Sequence, residues 1–333
     1  MSFRVVVLQT AATFEVQAGE SVLDAALRQQ VALPHECGFG GCGSCRVRLV
    51  AGRVDYDEMP LALTPEEVEQ GYALACQARP LSDLTISLDA VVKPPSEPRC
   101  CTATVVDVQP LTPEIVHLSL DLSLAEGLVF EPGQYMNLAL APGVHRSFSM
   151  ASAPNGQRVD FHVRRIPGGR FTDAQLPQLR PGETLQVEIP LGNFRCHKED
   201  YRPLLMVATG TGLAPIKSML ESLLDDSDCP PVWLYWGMRS EADLYLDAQI
   251  RSWRDRLYEF QYQPVLSRAD AQWRGRRGHV QHAVVQDLPD LSEHSIYLCG
   301  SPNMINDAKR LFLAHGASLD HLHADGFSFQ HHG

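Results

Sequence analysis

Four cysteines carry the strongest chemical signal in the chain. Cys37, Cys42 and Cys45 stand as C-x4-C-x2-C, and Cys76 follows with 30 residues between. This is the plant-type spacing for a [2Fe-2S] cluster. Four thiolates must converge on two irons while nearby backbone N–H groups reach the sulfurs, and the intervening run GFGGCGS (38–44) supplies the glycines that so tight a loop needs. A four-thiolate zinc site is the competing reading, but a glycine-rich four-residue gap suits structural zinc poorly. Of the other cysteines, Cys100, Cys101, Cys196 and Cys229 read as small apolar fillers. Cys299 stands apart, because with Gly300-Ser301-Pro302 it closes a predicted strand.

Three further segments have the makings of binding loops. Arg146-Ser147-Phe148-Ser149 follows a Pro-Gly turn, and Gly168-Gly169-Arg170-Phe171-Thr172 follows a strand ending in arginines. Together they offer cations and backbone donors for a pyrophosphate and an aromatic plate for a flavin ring. Thr209-Gly210-Thr211-Gly212-Leu213-Ala214-Pro215 lies between a strand and a helix, where backbone and helix start can meet a second pyrophosphate. It is neither G-x-G-x-x-G, since Pro215 takes the third glycine position, nor a P-loop, since the Lys-Ser/Thr pair is missing. A plain strand-to-helix turn is the alternative.

The elements that must position these residues fall into three blocks, giving a multidomain chain of α+β and α/β type. Residues 1–92 alternate short β-rich runs with two helix signals, the clearer being Thr64 as N-cap, Pro65 at N1, Glu67 at N3 and Gly71 beyond the end. Three prolines within residues 93–98 mark a semi-rigid linker. Residues 99–200 read as an antiparallel β-barrel, with strands at 102–108, 115–120, 134–140, 158–166 and 184–189 and Pro-Gly turns at 132, 142 and 181. Residues 201–333 alternate strands (204–209, 232–237, 295–300) with helical stretches (213–224, 303–315), which predicts a doubly wound parallel sheet binding its ligand at the carboxyl ends of the strands.

A net charge of −12 argues against nucleic acid as a partner. No apolar run approaches the roughly 20 residues of a membrane span, and the N-terminus reads as a strand without a cleavage site, so the expectation is a cytoplasmic protein that enters no membrane. Residues 1–92 carry 12 acidic and 6 basic side chains, a bias that is either a solvated surface or a face that steers a partner.

Taken together, these residues resemble the ferredoxin-NAD(P) reductase superfamily, and within it the reductase components of bacterial multicomponent oxygenases. The likeness covers nearly the whole chain, in the order β-grasp plant-type ferredoxin, FAD barrel, NAD(P)H domain. It is strongest to reductases of Rieske ring-hydroxylating dioxygenases of the benzoate, carbazole and terephthalate kinds. The resemblance assigns Arg146 to the flavin pyrophosphate, Phe148 to ring stacking where the family usually has tyrosine, and Ser149 to the neighbourhood of flavin N5. Gly169 and Thr172 match its second FAD segment, and Gly210, Thr211 and Gly212 its nicotinamide-nucleotide turn. Cys299 and Gly300 match its Cys-Gly pair beside the nicotinamide, and Phe327 its C-terminal aromatic. Ser147, His162, Gly168, Arg170 and Arg239 complete the cofactor-binding set, and Ser149 and Cys299 are the residues expected nearest the chemistry.

The implied route takes hydride from NAD(P)H to FAD and then single electrons through the cluster to a terminal oxygenase. A flavin is required because nicotinamide gives two electrons and the cluster accepts one. Plant-type clusters sit near about −400 mV, which makes that run plausible. NADH is the expected donor. Ser267-Arg268, at the position where NADPH-using relatives hold a 2′-phosphate, and Arg274, Arg276 and Arg277 beyond it, keep NADPH open, whereas Asp270 would repel a phosphate. A monomer is expected. The alternatives are a di-iron monooxygenase or deoxysugar dehydratase as acceptor, or a redox-sensing flavoprotein without turnover.

Overall fold

The computed structural model describes residues 2–35, 38–41, 43–88, 98–125, 127–141, 144–197 and 201–327. Its contacts divide the chain into two compact units, residues 1–93 with 301–333, and residues 94–300. Cys37, Cys42, the turn at 142–143 and all but the last residue of the linker lie outside the described residues.

The first unit is built on a mixed five-stranded sheet in the order Thr13–Gln17, Ser2–Val7, Leu84–Leu88, Arg46–Ala51, Tyr72–Leu74. Only Ser2–Val7 and Leu84–Leu88 pair in parallel. Alternation along the strands turns Val5, Val7, Val16, Val47 and Ile86 inward, and the helix Val22–Arg28 covers them with Val22, Leu23, Ala25 and Ala26. The second helix, Pro65–Glu69, carries the complete capping box that Thr64 and Glu67 predict. By contact clustering, residues 301–333, with the helix Pro302–Leu313 and the strand Leu322–Gly326, group with residues 1–93. Leu319 is a member of its apolar core.

The second unit begins with six antiparallel strands in the order Val144–Ser149, Tyr135–Ala141, Thr184–Leu191, Arg99–Pro110, Ile115–Asp121, Arg158–Arg164. A bridge between Met150 and Phe161 joins the two outer strands and closes the barrel. The strand Val144–Ser149, which carries the flavin motif, is the one that sequence patterning omits. Its half-exposed residues give it no clean alternation. Cys100 is exposed, against its assignment as a filler, while Cys229 is buried. Cys100 is the second residue of Arg99–Pro110, whose first two residues are both exposed.

The rest of the unit carries five parallel strands of a six-stranded sheet, in the order Arg276–Arg277, Gln261–Leu266, Val232–Met238, Leu204–Thr209, Ser295–Gly300. Leu204–Thr209 and Ser295–Gly300 are almost wholly buried, as parallel strands covered on both faces must be. The chain leaves Leu204–Thr209 toward one side and returns at Ser295–Gly300 on the other, so a topological switch point lies between them.

Candidate functional site

At the cluster loop the backbone is shaped for close wrapping. Gly38, Gly40 and Gly43 all have positive φ, and a Cβ added to Gly40 would meet the Pro60 Cβ at 2.8 Å. Ala62 N–H donates to the Gly40 carbonyl at 2.9 Å, closing residues 60–62 over the loop. Of the four predicted ligands, the two described ones converge: Cys45 and Cys76 are buried and have their Sγ atoms 3.1 Å apart. A disulfide would need about 2.05 Å. The pair therefore fits a site for thiolate-bound iron. Tyr56 closes the site from behind, its hydroxyl accepting the Leu74 N–H at 3.1 Å. Burial pushes its phenol up to about 12, and the Cys45 and Cys76 sulfurs add to the rise.

In the barrel, Arg146 and Phe148 sit two residues apart on one strand and so share a face, opposite Leu138 and Met136 of the neighbouring strand. The Arg146 guanidinium bonds only to the adjacent His145 carbonyl at 2.8 Å, and meets no carboxylate among the described residues. It stays available to an anion. Phe148 leans on Phe171 with ring centroids 5.4 Å apart, so the two motifs meet through their aromatic residues. Ser147 donates to Asn137 Oδ1 at 2.7 Å, and Ser149, half-buried, ends the strand opposite Tyr135. Gly168 has φ +75 and its N–H donates to Asp173 Oδ2 at 2.9 Å. A Cβ on Gly169 would meet Thr172 Oγ1 at 2.4 Å and the Ile166 carbonyl at 2.9 Å, so this cradle admits only glycine. Arg170 is exposed beside it. Cations, an aromatic and an open backbone turn fit a flavin dinucleotide.

At the switch point, Gly210 has φ +57 and Gly212 lies against the neighbouring strand. A Cβ there would come within 2.3 Å of the Cys299 carbonyl oxygen and 2.9 Å of the Gly300 nitrogen. The two segments proposed for the nicotinamide nucleotide are thus in backbone contact, and Thr211 lies in the same turn. Cys299 itself is fully buried. Ser267 N–H donates to the Met238 carbonyl at 2.9 Å and Arg268 N–H to the Arg239 carbonyl at 2.8 Å, which brings both arginines to adjoining strand ends. Both side chains are exposed and neither has an ion pair among the described residues. Arg276 and Arg277 are committed elsewhere, Arg276 to Asp287 and Arg277 to the carbonyls of Ala269, Asp270 and Trp273. Asp270 is likewise engaged, accepting from Gln272 and Trp273 N–H.

His162 lies at the centre of a buried cluster rather than on an open surface. Its Nδ1 is 3.3 Å from the Tyr245 hydroxyl, and Tyr245 packs edge-on to both His162 and Trp236. Burial pushes the His162 imidazole down to about 3, with Lys217 and His117 adding to the fall, so it is neutral, and its tautomer sets which of His162 Nδ1 and the Tyr245 hydroxyl donates. Trp236 Nε1–H in turn donates to the Gly210 carbonyl at 3.1 Å. Phe327, half-buried, directly follows the strand Leu322–Gly326.

Residues that sequence reasoning missed tie the flavin strand to the nucleotide helix. Lys217, 7% exposed on the helix Leu213–Leu223, donates to the Ala151 carbonyl at 2.8 Å and pairs with Glu221 at 2.6 Å. Ser218 donates to the Ser152 carbonyl at 2.7 Å, and Glu221 accepts the Ala153 N–H at 3.2 Å. The visible signal was a Lys-x3-Glu pair inside an apolar helix, where an exposed pair would normally sit on a polar face.

Comparison with known proteins matches three family models in succession. They are the 2Fe-2S iron-sulfur cluster binding domain over residues 5–81, the oxidoreductase FAD-binding domain over 102–196 and the oxidoreductase NAD-binding domain over 206–310. The chain is 34% identical over 331 residues to a CDP-6-deoxy-L-threo-D-glycero-4-hexulose-3-dehydrase reductase of Yersinia pestis, covering 98% of this chain and 99% of that one. It is 33% identical over 323 residues to reductase component 1 of terephthalate 1,2-dioxygenase from a Comamonas species, covering 95% and 94%. Among solved structures it resembles the ferredoxin reductase of carbazole 1,9a-dioxygenase, with a TM-score of 0.68, 27% identity and coverage of 98% and 99%.

Proposed function

Because the chain belongs to the ferredoxin-NAD(P) reductase superfamily, as an oxidoreductase with [2Fe-2S], FAD and NAD(P)H domains, we propose that it supplies electrons to the terminal component of a Rieske ring-hydroxylating dioxygenase. The observation that carries the electron-transfer part of this reading is the lock between Ala151–Ala153 and Lys217, Ser218 and Glu221. The chain runs directly from Ser149 into the locked segment, and the locked helix starts at Gly212. Flavin strand and nucleotide turn are therefore held in one rigid frame, as hydride transfer between two bound cofactors requires.

Each group on the chain then has a task. Arg146 and the Gly168–Thr172 turn hold the flavin pyrophosphate, Phe148 backs its ring, and Ser149 stands at the reacting edge. Gly210, Thr211 and Gly212 receive the nucleotide pyrophosphate, and Cys299 and Gly300 line the nicotinamide side. Cys37, Cys42, Cys45 and Cys76 would hold the cluster, and FAD when bound would supply the step between the two-electron nicotinamide and the one-electron cluster. The protein is read as a cytoplasmic monomer with NADH as its donor. Among the described residues no helix is long and apolar enough to cross a membrane.

The experiment is anaerobic reduction of the full-length holoprotein by NADH, followed by reconstitution with a purified Rieske dioxygenase. Bleaching of both flavin and cluster bands, with coupled product formation, supports the reading. The dehydrase-reductase relative favours a second acceptor class, so a deoxysugar dehydrase is assayed in parallel. Turnover with the dehydrase alone would replace the oxygenase assignment, and cofactor binding without reduction would refute both.

A further inference from the structure

Glu67 does more than its sequence role requires. Capping uses one oxygen, Oε2, which accepts the Thr64 N–H at 2.8 Å. The other, Oε1, is fully buried and accepts from two cations at once, Arg46 Nη1 at 3.0 Å and Lys309 Nζ at 2.9 Å. Arg46 directly follows the ligand Cys45. Lys309, 3% exposed, lies on the helix Pro302–Leu313, inside the stretch matched to the NAD-binding domain. Its ammonium also donates to the Ala62 carbonyl at 3.3 Å, and Ala62 N–H donates to Gly40 of the cluster loop. Glu67 and Lys309 together thus join the helix Pro302–Leu313 to both arms of the cluster site. Asn306 donates to the Leu61 carbonyl, Arg46 Nη2 to the Leu319 carbonyl at 3.4 Å and Tyr72 to Asp320 at 3.3 Å, so the same segment is held at several points.

A buried ion pair is a poor source of net stability, since desolvation offsets most of the attraction and apolar packing would hold a helix as well. What it does confer is one register, because the pair is satisfied in a single alignment. The clasped helix starts immediately after Cys299–Gly300, whereas the other covalent link to the cluster domain is the proline-rich segment 93–98. We propose that Lys309 is a positioning residue for internal electron delivery: by clasping Glu67 and Ala62 it fastens the ferredoxin fold to the segment leading out of the nucleotide strand, so that the cluster domain is joined to that strand by more than the linker alone. The inference rests on the electron route proposed above. Each hydride brings two electrons, and two successive one-electron reductions of the cluster, each discharged to the acceptor, account for both.

The test is anaerobic stopped-flow reduction of the full-length holoprotein by NADH, resolving the flavin and cluster phases in wild type, Lys309→Met, Lys309→Arg and Lys309→Met/Glu67→Gln. The cluster phase should slow tenfold or more in Lys309→Met while the flavin phase stays within twofold, and Lys309→Arg should recover part of the loss. The double variant removes the buried carboxylate charge along with its partner, so its thermal midpoint should return toward wild type while its cluster phase stays slow. A wild-type cluster phase in Lys309→Met, or a double variant that regains stability and electron transfer together, would overturn the proposal; if Lys309→Met does not fold, a cluster phase in Lys309→Arg that equals wild type counts against it in the same way, and a slowed one supports it. Failure of NADH to reduce the wild-type flavin would instead remove the electron route itself.

Discussion

Gly212→Ala isolates the crowding at the switch point. Gly212 has φ −59, which alanine adopts freely, so only space opposes the change. The new methyl would lie 2.3 Å from the Cys299 carbonyl oxygen and 2.6 Å from its carbon, about 0.7 Å short of the 3.0 Å that real contacts respect. The obstacle is backbone in a fully buried strand, paired with Ala208, and cannot swing aside. Overpacking of this kind costs about 1–3 kcal/mol, or roughly 2–12 °C in melting temperature for a unit of this size. The larger effect should fall on nucleotide binding. Displacing the turn sacrifices a charge-assisted hydrogen bond worth about 1.5–3 kcal/mol, which corresponds to a roughly 10- to 150-fold weaker Kd. Titration of flavin fluorescence with NAD(H) and thermal melting check this, with FAD content and cluster absorbance as internal controls. Gly210→Ala is the comparison: a Cβ there meets nothing within 4 Å, but φ is +57, so its cost is backbone strain of about 1–2 kcal/mol without the steric block. Wild-type melting and affinity in Gly212→Ala would refute the idea that the two strand ends must touch.

Acid should weaken the second unit through His162, whose imidazole is held at about 3 in the folded protein against 6.5 when free. Below about pH 6.5 the unfolded chain takes up a proton that the folded one refuses, so stability present at neutral pH is lost as pH falls, by up to about 1.4 kcal/mol per pH unit. Denaturant unfolding at pH 7.5 and 5.0 should show wild type losing roughly 2 kcal/mol more than His162→Gln, and equal losses in the two proteins would count against a neutral buried histidine. Arg268→Ala should lower kcat/KM for NADPH by a factor equivalent to about 1.5–3 kcal/mol and leave NADH within twofold. Equal loss with both would place Arg268 on the part the nucleotides share, and a tenfold wild-type preference for NADPH would overturn NADH as the expected donor.

What could be read from the sequence was what is encoded locally. The C-x4-C-x2-C loop, the Thr64/Glu67 capping box and the strand Leu204–Thr209 leading into its glycine turn each depend on residues within a few positions of one another. The flavin motif was legible as residues but not as a strand, because Val144–Ser149 has no buried alternation to betray it. Long-range partners left no such trace. Glu67 announced itself as a cap, and nothing near it in sequence signals that its second oxygen meets Lys309, 242 residues away. Lys217 and Glu221 looked like an ordinary helix pair until the barrel segment 151–153 was folded against them. His162 was assigned by resemblance to cofactor binding, and the fold surrounds it with Tyr245, Lys217 and His117. The pattern has a physical basis: cofactor loops must contort their own backbone and so constrain neighbouring residues, whereas charges that fix one element against another need only a partner somewhere in the chain. The cofactor sites are therefore the legible part of this protein, and the long-range clasps of Lys309 and Lys217 are the part that only the fold reveals.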